Sequence, residues 1–398
     1  MKKVELLAPA GNLQKLIMAY HYGADAVYVG GKSFSLRARA SNFTLEDIKE
    51  GAQLAKSLGK KLYVTMNIVP HNTDLNDLEI YLKNLEEAGV TGIIVSSLYI
   101  ANTALRVAPK LERHLSTQDS VTNSKSIEYY KDKGFSRVVL GRETTLEQIK
   151  DIRTNTDVEL EVFIHGGMCT SYSGRCMLSN YMTNRDANRG GCAHSCRWNY
   201  DLYKDYDKIN NKEFFNIGSK DLNATSYIYD LLKIGVDSLK IEGRMKSLYY
   251  IAVVVGSYRK LIDKYHENNF LTQDDIRNCE MEILKAENRE TGCGFFNEII
   301  TPNEQLYSDS TEVPTKDFLG IVLDYDDNTN IVTLEQRNYF KTGDNVEFFG
   351  PTIQNTNFVI EKLYDEENNE IEICNHPLQI VKFKVNFKLS KYDMMRKL

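Results

Sequence analysis

Residues Ala88–Ser96, AGVTGIIVS, decide the fold: a helix-like run stops at Gly89, and a few residues later an apolar strand begins. A glycine suits the left-handed position beyond a helix C-terminus, and the β-branched run after it suits a strand buried on both faces. The same pattern recurs in YGADAVYVG (Tyr22–Gly30), KGFSRVVLG (Lys133–Gly141) and IGVDSLKIE (Ile234–Glu242). Repeated αβ units of this kind build parallel strands joined by crossover helices.

Working outward from these repeats, strands are predicted near Val4–Ala8, Ala26–Gly30, Lys61–Asn67, Gly92–Ser96, His114–Gln118, Arg137–Gly141, Leu160–His165 and Ser238–Glu242. Amphipathic helical patterns lie between them, as in Thr44–Leu58, Asp74–Glu87, Ser124–Lys133 and Thr145–Thr154. Strands and helices alternating in this number predict an α/β fold, a (β/α)8 TIM-like barrel, with a doubly wound open sheet as the runner-up. A long helical pattern, Tyr249–Asn268, closes the unit, and a further helix follows at Gln273–Glu287. From about Lys316 the chain changes to short alternating runs, FLGIVLDYDDNTNIVTLEQ and its successors, in which DDNTN reads as a hairpin turn. The expected domains are a barrel over 1–270 with a cysteine-rich insertion at 166–198, a connection over 271–314, and a small antiparallel β-barrel over 315–398.

The 398 residues suffice for one large and one smaller domain. A formal charge of −6 argues against a chain coated in basic residues, and neither proves nor excludes a local basic face for nucleic acid. The apolar start of MKKVELLAPAGN breaks at Pro9 and Gly11, and no run of ~18 apolar residues exists to span a membrane. A cytoplasmic protein is expected, where thiols stay reduced and an odd total of seven cysteines points to ligands or catalytic groups rather than disulfides.

In a βα barrel the active site gathers at the C-terminal ends of the strands. The residues there are strongly polar: Arg37, Arg39, Asn67, Gln118, Asp119, Arg142, Glu143, His165, Glu242 and Arg244. Arginine forks bind carboxylate or phosphate through paired hydrogen bonds, so a mouth holding these arginines, with Arg175 and Arg197, suits an anionic substrate. The competing reading is that each arginine pairs with a neighbouring acid. Arg142, Glu143, Gln118, Arg244 and His165 are the candidate catalytic residues; Arg37, Arg39, Asn67 and Glu242 are the candidate substrate-binding ones.

The segment Glu161–Trp198 holds four of the seven cysteines: Cys169, Cys176, Cys192 and Cys196. Buried apolar cysteines would be scattered along strands and helices. Structural zinc usually takes two close cysteine pairs, and only Cys192 and Cys196 are close. An iron–sulfur cluster accepts irregular spacing from glycine-rich loops and is favoured over zinc. His165 and His194 are open as general base, extra ligand or hydrogen-bonding loop histidines. No HExxH motif, GxSxG elbow or phosphate-binding GxxxxGK[ST] loop is present.

EVFIHGGMCTSYSGRCMLS at Glu161–Ser179 resembles the signature of the collagenase-like U32 peptidase family: Glu, an aromatic, Gly, then Cys, four residues, Gly, one residue, Cys and a terminal Ser. LLAPAGN (Leu6–Asn12), GADAVYVGG (Gly23–Gly31), LRARASNF (Leu36–Phe43), HLSTQ (His114–Gln118) and KIEGRMKS (Lys240–Ser247) extend the resemblance over essentially the whole chain. Within that family the chain is most similar to members that hydroxylate RNA, among them tRNA wobble-uridine hydroxylases that make 5-hydroxyuridine from prephenate rather than dioxygen. The resemblance implies a tRNA substrate, prephenate as hydroxyl donor, a 4Fe–4S cluster on Cys169, Cys176, Cys192 and Cys196, and a paralogous family member as a partner in some bacteria. Prephenate is a dicarboxylate and tRNA a polyphosphate, and an arginine-lined mouth suits both. A peptidase, the alternative activity, needs a nucleophile with its base or an activated water on a metal. Lys382, Lys384 and Lys388 in the C-terminal module are candidates for contact with the tRNA body.

Overall fold

The computed structural model describes residues 3–36, 42–209, 215–286, 289–297, 301–306 and 318–398. The barrel strands are β1 (Glu5–Pro9), β2 (Ala26–Gly30), β3 (Lys61–Met66), β4 (Gly92–Val95), β5 (Glu112–Leu115), β6 (Arg137–Val139), β7 (Glu159–Gly166) and β8 (Ser238–Ile241). Each strand to β7 pairs in parallel with its predecessor, and β8 bonds to both β7 and β1. That closure decides for the barrel over the open sheet. The four glycines that punctuate the repeats, Gly23, Gly89, Gly134 and Gly235, all have positive φ.

Helix starts follow local chemistry. Thr44 and Asp47 form a capping box for the helix Leu45–Ser57, and Thr145 and Gln148 form another for Leu146–Thr154. Their apolar faces, Ile48, Ala52 and Ala55 in the first and Ile149 and Ile152 in the second, pack into the core around the sheet.

The barrel interior departs from the expected β-branched filling. On β7, Leu160, Val162 and Ile164 join the helix-facing core, while Glu159 and Glu161 alternate with them, as strand geometry requires. Arg137, only 2% exposed, donates to Glu5 at 2.5 Å, Glu159 at 2.8 Å and Glu161 at 3.2 Å. Lys240 on β8 donates to the far oxygen of Glu161 at 2.6 Å. Above this ionic layer sits a small apolar cluster of Leu7, Ala26, Tyr28, Tyr63 and Ile94.

The C-terminal strands form the small antiparallel β-module expected, an eight-stranded sheet curled into a half-barrel with a separate two-stranded pair of Phe340–Lys341 and Ile373–Cys374. The DDNTN turn is a hairpin between Phe318–Asp326 and Ile331–Gln336, with Asn330 at φ 58°. The sheet docks on the barrel through Phe318, stacked 5.1 Å from Tyr249, and through Arg396, which bridges Glu282 and Glu347. Of the three lysines proposed for RNA contact, Lys382 donates to the Glu366 carbonyl at 3.0 Å and Lys388 pairs with Asp327 at 2.9 Å, whereas Lys384 is exposed. No described helix is long and apolar enough to cross a membrane.

Candidate active site

A cavity of about 470 Å³ lies at the C-terminal ends of the barrel strands. Tyr28, Phe163 and Lys240 reach it from within the strands; Asn67, Gln118, Arg142, Glu143, Glu242 and Arg244 come from the strand ends. The cysteine segment covers it, contributing Cys169, Cys176, Cys192 and Cys196. The segment leaves β7 at Gly166, whose φ of +102° and approach to the Glu242 carbonyl exclude a side chain: a Cβ there would lie 2.4 Å from that oxygen.

The strand ends hold this segment down. Arg142 donates from Nη1 to the Gly167 carbonyl at 2.5 Å and lies over the Phe163 ring at 3.9 Å. Glu143 accepts from the Ser173 amide at 2.6 Å and its hydroxyl at 3.1 Å, and Glu242 accepts from the Gly167 amide at 3.3 Å. Arg244, nearly buried, donates to Thr65 Oγ1 at 3.2 Å, and Asn67 accepts from the Leu36 amide at 3.4 Å. The pairing of arginines with acids holds for Arg175 with Asp119 and Arg197 with Asp221, whereas Arg142 bonds a carbonyl. The buried Nε of Arg142 and Nε2 of Gln118 have no hydrogen-bond partner within the protein, which leaves N–H donors for a ligand.

His165 does not line the cavity. A register shift between Lys240 and Ile241 places one extra residue on β7 and resets the alternation, so the ring lies within 3.2 Å of the Tyr258 hydroxyl on the long helix Leu248–Asn268. Burial, helped by the charge of Lys246, pushes its pKa down to about 3, so it is a neutral structural group rather than a base at the mouth. His194, by contrast, lines the cavity at the end of the cysteine segment. Arg37 and Arg39 lie outside the described residues.

All four cysteines are free thiols. Burial raises the Cys196 pKa, and Cys169, Cys192 and Cys176 each add to that rise, so the other three are near enough to act on it electrostatically. Among the described residues no three His, Cys, Asp or Glu side chains form a metal-ready group. The donor set itself, four unbonded thiols lining one cavity, fits a thiophilic metal or an iron–sulfur cluster better than a hard cation.

Sequence reasoning missed Lys240, Lys246, Arg289 and Asp221. Lys240 was recoverable, since it lies two residues before Glu242 and alternation puts both on one strand face. Asp221 accepts ion pairs from Lys246 at 3.3 Å, Arg197 at 3.5 Å and Arg289 at 3.6 Å, gathering three cations at the rim. Its short strand, Asp221–Asn223, pairs antiparallel to β7 and parallel to Thr291–Gly292, a connection that no αβ repeat announces.

The position of Arg244 depends on Gly30. A Cβ at residue 30 would lie 1.7 Å from Arg244 Nη1 and 2.5 Å from Ser35 Oγ, so the guanidinium would have to leave its place beside Thr65. Gly30→Ala is therefore expected to fold, with thermal unfolding close to wild type, and to lower turnover by ~10–100-fold through a displaced guanidinium. Unchanged kinetics would mean that Arg244 is not needed where it stands.

A closed (β/α)8 barrel with cations at its strand ends, under a cap of four thiols, is the class that fold and site define. Residues 11–305 match Peptidase family U32 and residues 314–396 match the Peptidase family U32 C-terminal domain, and the chain belongs to this family. It is 50% identical over 405 residues to the tRNA hydroxylation protein P1 of Bacillus subtilis, across 100% of this chain and 95% of that protein. It is 37% identical over 261 residues to the 23S rRNA 5-hydroxycytidine C2501 synthase of Escherichia coli, across 66% of this chain and 39% of that one. It is also 31% identical over 307 residues to a protein named Collagenase from Porphyromonas gingivalis, across 73% of each.

Proposed function

We propose that the chain is an RNA hydroxylase that places a hydroxyl group on carbon 5 of the tRNA wobble uridine, with prephenate as the hydroxyl donor. The observation that carries this reading is the similarity, over the full length, to a protein named for tRNA hydroxylation. A second relative, named for 5-hydroxycytidine synthesis in ribosomal RNA, supports the same chemistry on a pyrimidine.

The chain's residues take these roles. Arg142 and Arg244 bind the donor's carboxylates, and the unpaired amide nitrogen of Gln118 orients the donor or the base. Phe163 and Tyr28 supply flat apolar surface for a ring, with Lys240 beside both at 5.1 and 4.7 Å. The cysteine segment shields the cavity from water. Cys169, Cys176, Cys192 and Cys196 would hold a 4Fe–4S cluster, with zinc as the alternative, and such a cluster, with a thiolate on every iron, would supply or accept an electron.

Nucleosides from tRNA of a deletion strain, analysed by mass spectrometry, are expected to lose 5-hydroxyuridine and its derivatives. Unchanged levels in a strain without a paralogue would overturn the reading. Anaerobically purified protein is expected to contain iron and acid-labile sulfide, and Cys169→Ser to lose both; one equivalent of zinc without sulfide replaces the cluster. Proteolysis, the reading that the Collagenase relative offers, predicts gelatin cleavage abolished by a single nucleophile change.

A further inference from the structure

The segment that carries the cysteines also presents exposed aromatic rings. Tyr181 is 82% exposed, Tyr172 56% and Trp198 40%, with Met177 at 55%. Large apolar side chains grouped on a surface mark an interaction site. Chain continuity puts each beside a residue that lines the cavity. Tyr172 stands between the lining residues Ser171 and Ser173, Met177 between Cys176 and Leu178, and Trp198 directly after Arg197; on the helix Leu178–Thr183, Tyr181 lies three residues after lining Leu178 and so on the same side of the helix.

The backbone beneath the rings is fixed. The Trp198 amide donates to the Ser195 carbonyl at 3.2 Å, the Tyr181 amide to the Met177 carbonyl at 3.1 Å, and the Tyr172 carbonyl accepts from the Arg175 amide at 3.1 Å. The surroundings are cationic: from Gly166 to Trp198 the chain has four arginines, one aspartate and no glutamate, although the whole chain carries −6. Three of these arginines, Arg175, Arg189 and Arg197, are already paired with Asp119, Asp74 and Asp221.

Rings interleaved with arginines, at the edge of a cation-lined cavity, match the two faces of a nucleotide: a base that stacks and a phosphate that pairs. A second protein copy would instead meet arginines throughout the patch. Resting on the reading of the chain as an RNA-modifying enzyme, we propose that Tyr172, Tyr181 and Trp198 form a stacking platform for the unpaired nucleotides that flank the one entering the cavity. Because Arg175, Arg189 and Arg197 are already paired, stacking contributes more of the affinity than phosphate contact. The platform therefore selects loops over helices, since paired bases have no free faces to offer.

Trp198 is the chain's one tryptophan, so its emission reports stacking directly. The full-length protein is titrated with a hairpin RNA bearing an unpaired loop, and separately with a blunt duplex of equal charge. The hairpin is expected to quench Trp198 emission saturably and the duplex to leave it unchanged. Tyr181→Ala, at a position too exposed to affect folding, is expected to weaken hairpin binding about tenfold, and Tyr181→Phe to restore it. Equal quenching by duplex and hairpin, or Tyr181→Ala binding like wild type, would overturn the platform. A concentration-dependent dimer in sedimentation that Tyr181→Ala dissolves would assign the patch to a second copy. Hydroxylation is scored separately on the same RNA by nucleoside mass spectrometry. Stacking without product leaves the platform standing and removes the hydroxylase, whereas product formation indifferent to Tyr181→Ala does the reverse.

Discussion

Arg137→Met is expected to cost about 3–5 kcal/mol of folding stability, a large share of the ~5–15 kcal/mol that holds a typical domain together. The side chain is 2% exposed and bonds Glu5, Glu159 and Glu161 together. Methionine fills a similar volume but leaves three carboxylates facing one another in the barrel, with only Lys240 left on Glu161. The pH dependence should reverse as well. In the wild type, burial raises the Glu161 pKa, but Lys240 and Arg137 together outweigh it and hold the group below its ordinary value. Its contribution to stability is thus present above the usual carboxylate range and is lost as the pH falls through the lowered folded value. In the variant, desolvation and mutual repulsion raise the folded pKa values, so acidification relieves the strain and the variant gains relative stability toward pH ~5. Urea unfolding at both pH values tests this. A loss under ~1 kcal/mol at neutral pH would mean that the ionic layer is not holding the barrel.

Arg142→Lys is expected to lower kcat/KM by ~100-fold, or about 2.7 kcal/mol, with little change in unfolding. The guanidinium spans two surfaces at once, the Gly167 carbonyl at 2.5 Å and the Phe163 face at 3.9 Å, and keeps an unpaired Nε for a ligand. A lysine preserves the charge but not the planar fork, so it can hold the carbonyl or an incoming carboxylate but not both. The loss should fall on the KM for the donor when donor concentration is varied at saturating RNA. Lysine kinetics within about threefold of wild type would place the donor elsewhere in the cavity.

The fold was legible because helix ends and strands alternate with a fixed local grammar. Each repeat glycine is left-handed, and each predicted barrel strand exists within two residues of its expected bounds except the fifth, expected at His114–Gln118, which runs Glu112–Leu115 and ends three residues early. The mouth was legible for a similar reason: once strand ends are known, Asn67, Gln118, Arg142, Glu143, Glu242 and Arg244 follow from position, and all six line the cavity. His165 was not, because a single extra residue opposite Lys240 and Ile241 inverts the alternation, and a bulge leaves no mark in composition. Arg137 and Glu161 were hidden inside strands read as apolar. Their significance comes from a pairing between β1, β6 and β7 that depends on closing the barrel, which is a global event. The Asp221 cation cluster joins Arg197, Lys246 and Arg289 from three separate stretches of chain, and only tertiary structure brings them together.

Three strand-end side chains, Arg142, Glu143 and Glu242, spend hydrogen bonds on the cysteine segment, at Gly167 and Ser173. The thiol cap and the cationic mouth are therefore a single mechanical part, registered to each other by the same three residues. A segment of this kind cannot be exchanged between barrels like a cassette. Any relative that alters the residue after β6 or β8 must refit the thiols as well, so changes in substrate preference and changes in cluster environment should be inherited together.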